Sequence, residues 1–434
     1  MSAALLAGVM LLTAETAAPA PAADTSFLSD SQLQTDSAGL PLEWSDESGI
    51  AWQVDLPGPG SSTPLVVGDR IFVTCYTGYG VDSDAAADGG TDSLVRHLLC
   101  LDAADGSERW RASVPARQPE DPYTGFLREH GYATNSPATD GERVFVFHGK
   151  SGVFAYDFDG TQLWTADVGQ ESTARQWGSA ASPVVSGGKL IVNAAEESAA
   201  VYALDGATGE EIWKAEAGSL TQSYATPRLA EVDGRRQVIL AVPGELWGLS
   251  EETGKLIWYA ESPQPGNVSP TPAIDNGVAY LVGGRPGGSS AIRLGGTGDV
   301  TESNVVWTGS ESSYVPSPVV AQTGGGLRVF FVSDKGIATC LDAATGEVVK
   351  ERRIARGGGF LGMAVYASTL LAGDRLYCVS RTGGAFVLAA DDEMQTLAEN
   401  RIESDESQFN ASPVAVGDRL YLRSDRRLYA IDGE

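Results

Sequence analysis

Histidines, cysteines and clustered carboxylates carry most enzyme chemistry, and this chain of 434 residues has only three of the first and four of the second. The histidines are His97, His130 and His148; the cysteines are Cys75, Cys100, Cys340 and Cys378. His130 stands in Arg128-Glu129-His130-Gly131-Tyr132, beside a carboxylate in the long segment from Pro115 to Asn135. An imidazole titrating near neutrality next to a carboxylate is the best single candidate for acid–base work, against the plainer alternative of a hydrogen-bonded loop histidine. The cysteines form no C-x-x-C, haem-attachment or vicinal pair. Cys100 and Cys340 fall where Ala155 and Ala203 stand in matching repeats, a place for small buried hydrophobes. Aligned hairpins put Val73, not Cys75, opposite Cys100, so a Cys75–Cys100 disulfide would have to run diagonally. Asp82, Asp84, Asp88 and Asp92 crowd an Ala/Gly-rich loop, but the spacing departs from a calcium loop and reads as a solvated turn. No His/Cys set has zinc spacing, Gly357-Gly358-Gly359 opens no helix that could hold phosphate, and no G-x-S-x-G elbow occurs.

Such residues need a scaffold, and the chain writes its scaffold repeatedly. Leu204 to Trp213 reads LDGATGEEIW; Leu101 to Trp110, Tyr156 to Trp164 and Leu249 to Trp258 are variants of it. Leu341 to Glu347 repeats the start, with Lys350 in the tryptophan's place. Before each unit comes a Ser/Thr-Pro step, an apolar run, a Gly turn and a second apolar run. The steps are Thr63-Pro64, Ser136-Pro137, Ser182-Pro183, Thr226-Pro227, Thr271-Pro272, Ser317-Pro318 and Ser412-Pro413, with Ser368-Thr369 as an eighth that lacks proline. Each unit reads as four short strands, with alternation in Arg70 to Val73 and Val153 to Tyr156. Eight such units predict an all-β, eight-bladed β-propeller of four-stranded antiparallel blades. The last unit lacks a Trp-ending strand, and Gly49 to Val54 is an orphan Trp strand, so the segment around Trp52 is expected to complete the C-terminal blade and close the ring. Trp52, Trp110, Trp164, Trp213, Trp258 and Trp307 are expected to wedge between blades, and Lys350 to mark a weaker contact.

Net charge is −27, which repels phosphate backbones and argues against nucleic acid as a partner. It suits an exported, soluble, monomeric protein. Residues 1–22 resemble a signal peptide without its basic n-region, too short to be a stable membrane span; 23–43 read as a leader, and 44–434 as the propeller. No cysteine near residue 22 offers a lipid-anchor attachment point. In a propeller the segment entering each innermost strand lines the channel mouth. The rim candidates are therefore Tyr132, Arg175, Trp177, Tyr224, Asn267, Tyr314, Tyr366, Phe409 and Asn410, beside His130. Aromatics among amides and arginines could grip a planar or sugar-like ligand, or simply plug the channel.

The Leu-Asp-Ala-x-Thr-Gly-Glu-x-x-Trp repeat, joined to Ser-Pro-Val-Val, resembles the pyrrolo-quinoline quinone (PQQ) repeat over nearly the whole chain from Trp52 on. Stretches such as His130-Gly131-Tyr132-Ala133, Tyr314-Val315-Pro316-Ser317-Pro318 and Leu397-Ala398-Glu399-Asn400 look like one bacterial group of exported PQQ-like propellers. Among relatives of this kind, quinoprotein dehydrogenases add a vicinal cysteine pair and an acidic calcium cage, neither of which can be matched here. The propeller lipoprotein of outer-membrane assembly is a non-catalytic scaffold. The resemblance therefore implies a non-catalytic exported scaffold that binds a protein or polysaccharide at its channel face. The alternative it leaves is a PQQ-dependent oxidoreductase of alcohols or sugars, with PQQ and calcium bound and His130 at the quinone.

Overall fold

The computed structural model describes residue 27, the backbone of 34–35, and residues 39–81, 90–123, 131–284, 287–357 and 362–433. The repeats form eight sheets, each with four antiparallel strands running from the axis outward. In the first blade these are Leu65–Val67, Arg70–Thr77, Val95–Asp102 and Glu108–Pro115. The eighth blade takes Val414–Val416, Arg419–Arg423 and Arg427–Asp432 from the C-terminus and its outermost strand, Ile50–Asp55, from the N-terminus. Trp52 pairs with Ala430 and Val54 with Leu428, so the ring closes as the orphan strand required. Two blades carry a fifth strand: Gly298–Asp299 runs parallel to the outer edge of blade four, and Gln34–Thr35 runs parallel to the inner edge of blade seven.

One contact recurs at the joints. A bulge in the outer hairpin, such as that between Ala203 and Leu204, turns the tryptophan out of its own sheet. The residue paired with each tryptophan is small: Cys100 with Trp110, Ala155 with Trp164, Ala203 with Trp213, Gly248 with Trp258, Ala291 with Trp307. The indole then lies on the turn glycine of the next blade and donates its N–H to a carbonyl of that turn. Trp164 Nε1 donates to Gly206 O at 3.0 Å over Gly209; Trp110 donates to Phe158 O at 2.9 Å over Gly160; Trp307 donates to Ala343 O at 2.9 Å over Gly346. Trp52 and Trp213 repeat the geometry on Ala103 and Glu251. Gly209 serves twice: its φ is 75°, and a Cβ there would sit 2.6 Å from the Trp164 ring. Asp205 braces the same turn, its Oδ1 accepting from the amides of Ala207 and Thr208 at 2.9 Å.

Three joints depart from the rule. Trp258 is fully buried between blades four and five but donates to Gln237 Oε1 at 2.8 Å, because the fifth repeat replaces the glycine turn with an excursion through Gly298–Asp299. Between blades six and seven, ions replace the indole: Lys350 Nζ meets Glu393 at 2.7 Å, and Arg328 pairs with Asp392 at 2.9 Å. Between blades seven and eight, Ala398 stands at the tryptophan position, and Leu40 and Trp44 from the N-terminal segment pack there instead. Asn400 clamps that segment, accepting from Trp44 N at 2.8 Å and donating to Leu42 O at 3.0 Å.

The cysteine register differs from expectation. Phe72, not Val73, faces Cys100, and Cys75 faces His97. Side chains alternate along a strand, so Cys75 packs with Val73 and Leu99 on one face of the first blade while Cys100 packs with Phe72 and Leu98 on the other. All four cysteines are free and buried.

A docked indole at about 25 cal/mol per Å² stabilises the fold by several kcal/mol. Trp164→Ala is expected to cost about 3–5 kcal/mol in chemical denaturation. Gly209→Ala should also destabilise, through both the positive φ and the clash with the indole. If both variants unfold at the wild-type midpoint, the joints are not what holds the ring.

Candidate functional site

The innermost strands are short, and their approach to the axis is set by the step residues. From Thr63 through Ser368, each step's backbone N–H donates to the hydroxyl of the next step around the ring. Thr63 N reaches Ser136 Oγ at 2.9 Å, Ser136 N reaches Ser182 Oγ at 2.9 Å, and the series runs through Thr226, Thr271, Ser317 and Ser368 to Ser412 at 3.0 Å. A buried N–H must be paired, and a hydroxyl one atom from the backbone is the shortest group that can pair it without another strand. The step therefore keeps Ser or Thr. Its spacing in the sequence marks a recurring strand start, but not a hydrogen-bonded belt around the channel.

The channel inside that belt is lined by the eight step residues together with Tyr224, Val315, Tyr366, Asn410 and Phe27. Its volume is about 90 Å³, below the roughly 300–1,000 Å³ of pockets that engulf small-molecule ligands. Its described lining contains no charged side chain. PQQ is a polycarboxylate held in its enzymes with calcium, and a neutral hydroxyl-lined channel of this size fits neither group. Among the described residues, no set of three or more His, Cys, Asp or Glu is placed to hold a metal ion.

The rim candidates divide into three groups. Trp177 stacks on Tyr224 at 5.7 Å, and exposed Arg175 lies 4.8 Å above the Trp177 ring while its Nε donates to Gln222 Oε1 at 2.7 Å. Across the mouth, Arg381 lies 4.2 Å over Tyr366 and donates to Asn410 Oδ1 at 3.0 Å, with Tyr314 and Met363 packed behind. Arg381 is not among the sequence candidates, which come only from segments leading into inner strands; it follows the second strand of blade seven, Arg375–Val379. The third group is packing. Phe409 is buried against Tyr429, and Asn267 is buried outside the channel lining. Tyr132 stacks on Tyr123 at 4.1 Å, donates to Asp121 O at 2.8 Å and accepts from Tyr123 N at 2.8 Å. His130, Asp82, Asp84, Asp88, Gly358 and Gly359 lie outside the described residues. The other two histidines are structural. His97 bridges Thr77 and Ser113 at 2.8 Å each, and burial pushes the His148 imidazole down to about 3.

Beside Tyr132 lies a buried charged cluster that no spacing in the chain announces. Arg96 pairs with Glu120 at 2.7 Å and Lys150 with Asp121 at 2.8 Å, both pairs almost out of solvent. Ser172 Oγ donates to Asp121, and Glu196 Oε1 accepts from Gln222 N at 3.1 Å. Glu197 is 1% exposed; burial, and then the neighbouring Glu196, push its carboxyl up to about 8. The cluster ties the loop entering blade two to the second hairpin of blade three, and so holds the rim on which Arg175 and Trp177 stand.

An eight-bladed ring with indoles docked on turn glycines and a belt of step hydroxyls defines a PQQ-like β-propeller. The chain belongs to the family whose model, described as outer membrane protein assembly factor BamB, matches residues 48–225 and, in an overlapping alignment, 96–352. Two relatives carry that same description. One, from Burkholderia pseudomallei (strain K96243), is 24% identical over 378 residues, covering 84% of this chain and 82% of the relative. The other, from Yersinia pestis, is 26% identical over 281 residues, covering 60% of this chain and 67% of the relative. The crystal structure of BamB from Moraxella catarrhalis superposes with a TM-score of 0.56 at 14% identity, covering 88% of this chain and 96% of that one, and shares its fold.

Glu197 gives a pH signature. Its native carboxyl keeps a proton up to about pH 8, whereas the unfolded one loses it near the ordinary 4.5. Between those values the unfolded state binds fewer protons, so stability falls as pH rises. His148 acts in the opposite sense only below its ordinary 6.5. From pH 6.5 to 8, wild-type stability is therefore expected to drop by about 1 kcal/mol per pH unit, and Glu197→Gln should flatten the slope. Denaturation midpoints across that window decide it; an unchanged slope in the variant would mean the carboxyl is already ionised in the native protein.

Proposed function

We propose that this protein is a non-catalytic, extracytoplasmic scaffold that docks a protein partner on its channel face during assembly of outer-membrane proteins. The observation that carries the reading is the Arg175–Trp177–Tyr224 stack. It places a partly exposed tryptophan and an exposed arginine on a rim fastened by the buried charged cluster. Tryptophan and arginine on a rigid base are the side chains that dominate protein interfaces. Family membership supports the reading, since both relatives are described as outer membrane protein assembly factors. A protein suits the rim better than a polysaccharide, because the aromatic faces are already stacked on one another and on arginines rather than laid open for sugar rings. The alternative reading as a PQQ-dependent oxidoreductase finds no support in the neutral channel.

Two measurements test this. Cross-linking with mass spectrometry in cell envelopes should place a protein partner within reach of residues 170–177 and 222–224. Trp177→Ala is expected to weaken that partner about thirtyfold or more, at a cost of about 2 kcal/mol or more, with thermal melting unchanged. Titration with PQQ and calcium should give no saturable absorbance change; alcohol-dependent dye reduction would instead favour the oxidoreductase.

A further inference from the structure

The inner strands of a propeller each turn one edge toward the axis, and an unpaired edge is a template for another strand. Seven of the eight steps answer with proline directly after the Ser or Thr. Proline has no N–H and fixes its own φ, so an edge that begins with it resists strand addition. The seventh step reads Ser368-Thr369, and its edge is the one that is occupied. There Gln34 pairs with Leu371 and Thr35 with Ala372, in parallel with Leu370–Ala372. It is the only strand added to an inner edge among the described residues.

Both flanks of that pairing belong to this chain. Upstream, Phe27 lies at the channel mouth with Tyr224, Val315, Tyr366 and Asn410. Downstream, Leu40 O accepts from Arg375 Nη1 at 3.3 Å and Pro41 O accepts from Tyr377 OH at 3.1 Å, in the hairpin that ends the inner strand. Leu40 and Trp44 then fill the joint where Ala398 leaves room. The added strand therefore runs from the rim toward the opposite face.

We infer that the proline-free inner edge of the seventh blade is a strand-addition site for an extended polypeptide, filled in cis by this chain's own N-terminal segment. Main-chain bonds to Leu371 and Ala372 supply attachment, the aromatic at the mouth supplies anchoring, and the missing proline selects the blade. Phe27 thereby stands at the mouth that a partner on the rim would meet. The inference stands whether or not the rim docks a protein.

The test uses the full chain with paired cysteines. Thr35→Cys with Ala372→Cys should cross-link on mild oxidation, since directly paired strand residues lie within disulfide reach. Thr35→Cys with Ser186→Cys, the matching inner-strand position of blade three across the ring, is the control. Peptide mapping under non-reducing conditions should show at least about tenfold more cross-link in the first pair, and the four native cysteines, all buried, should stay free. Equal yields in the two pairs would overturn the inference. Thr369→Pro, which copies the other seven steps, should lower the yield of the Thr35→Cys, Ala372→Cys cross-link by about tenfold while the melting transition persists. A folded Thr369→Pro protein that cross-links as well as its parent would also overturn it; should that variant not fold, the comparison between blades three and seven decides alone.

Discussion

An indole lying on a glycine is the interaction on which the ring depends. A blade has two apolar faces and cannot bury both alone, so each must be fastened to its neighbours at a fixed angle. The tryptophan does this with a large flat surface and one donor. The turn glycine gives it a bare backbone to lie on, and the turn carbonyl takes its N–H. Requirements spread outward from that contact. The turn must adopt positive φ, an Asp must hold it, the residue opposite the tryptophan must be small, and the hairpin must carry a bulge. The recurring decapeptide is the sequence record of one contact made several times over.

This is why the architecture is legible in the chain while much of the site is not. Glycines at 106, 160, 209, 254 and 346 and the tryptophans before them are fixed by local geometry, so their spacing reports the fold directly. Blade closure follows from an unmatched strand at each end. The expected register at Cys100 is off by one because an apolar strand buried on both faces offers no polar alternation to set it. The rim depends on which loops meet in space, and those loops come from different repeats. Arg381 reaches Tyr366 and Asn410 from the hairpin joining the second and third strands of blade seven, not from a segment leading into an inner strand. The charged cluster gathers Arg96, Glu120, Lys150 and Glu197 from three repeats, too far apart in the chain to form a motif. Tyr132 and Phe409 read as ligand aromatics, yet an aromatic beside a channel and an aromatic sealing it occupy equivalent places in a repeat.

Three departures from the repeat, apart from the Trp258 joint, cluster around the seventh blade. The sixth joint gives up its tryptophan for charge pairs, the seventh borrows Trp44 from the N-terminal segment, and the seventh step gives up its proline. Those exceptions leave room for the N-terminal segment: a small residue at Ala398 admits Leu40 and Trp44, and an edge without proline admits a strand. The belt of step hydroxyls runs unbroken through the same blades, from Ser317 to Ser368 and on to Ser412. The axis of the ring is therefore held constant while its outer joint and inner edge are modified.

Closure between the two ends has a temporal consequence. Ile50–Asp55 finds its partner in Arg427–Asp432, so the strand that completes the eighth sheet is made before the first blade and must wait until the other seven blades have been synthesised. At about 5–20 residues per second of synthesis, that wait is on the order of tens of seconds, with Trp52 lacking its sheet throughout. The nascent chain is thus an open arc of blades with one sticky strand ahead of the first, a form that favours delayed folding or a holding factor until the ring can shut.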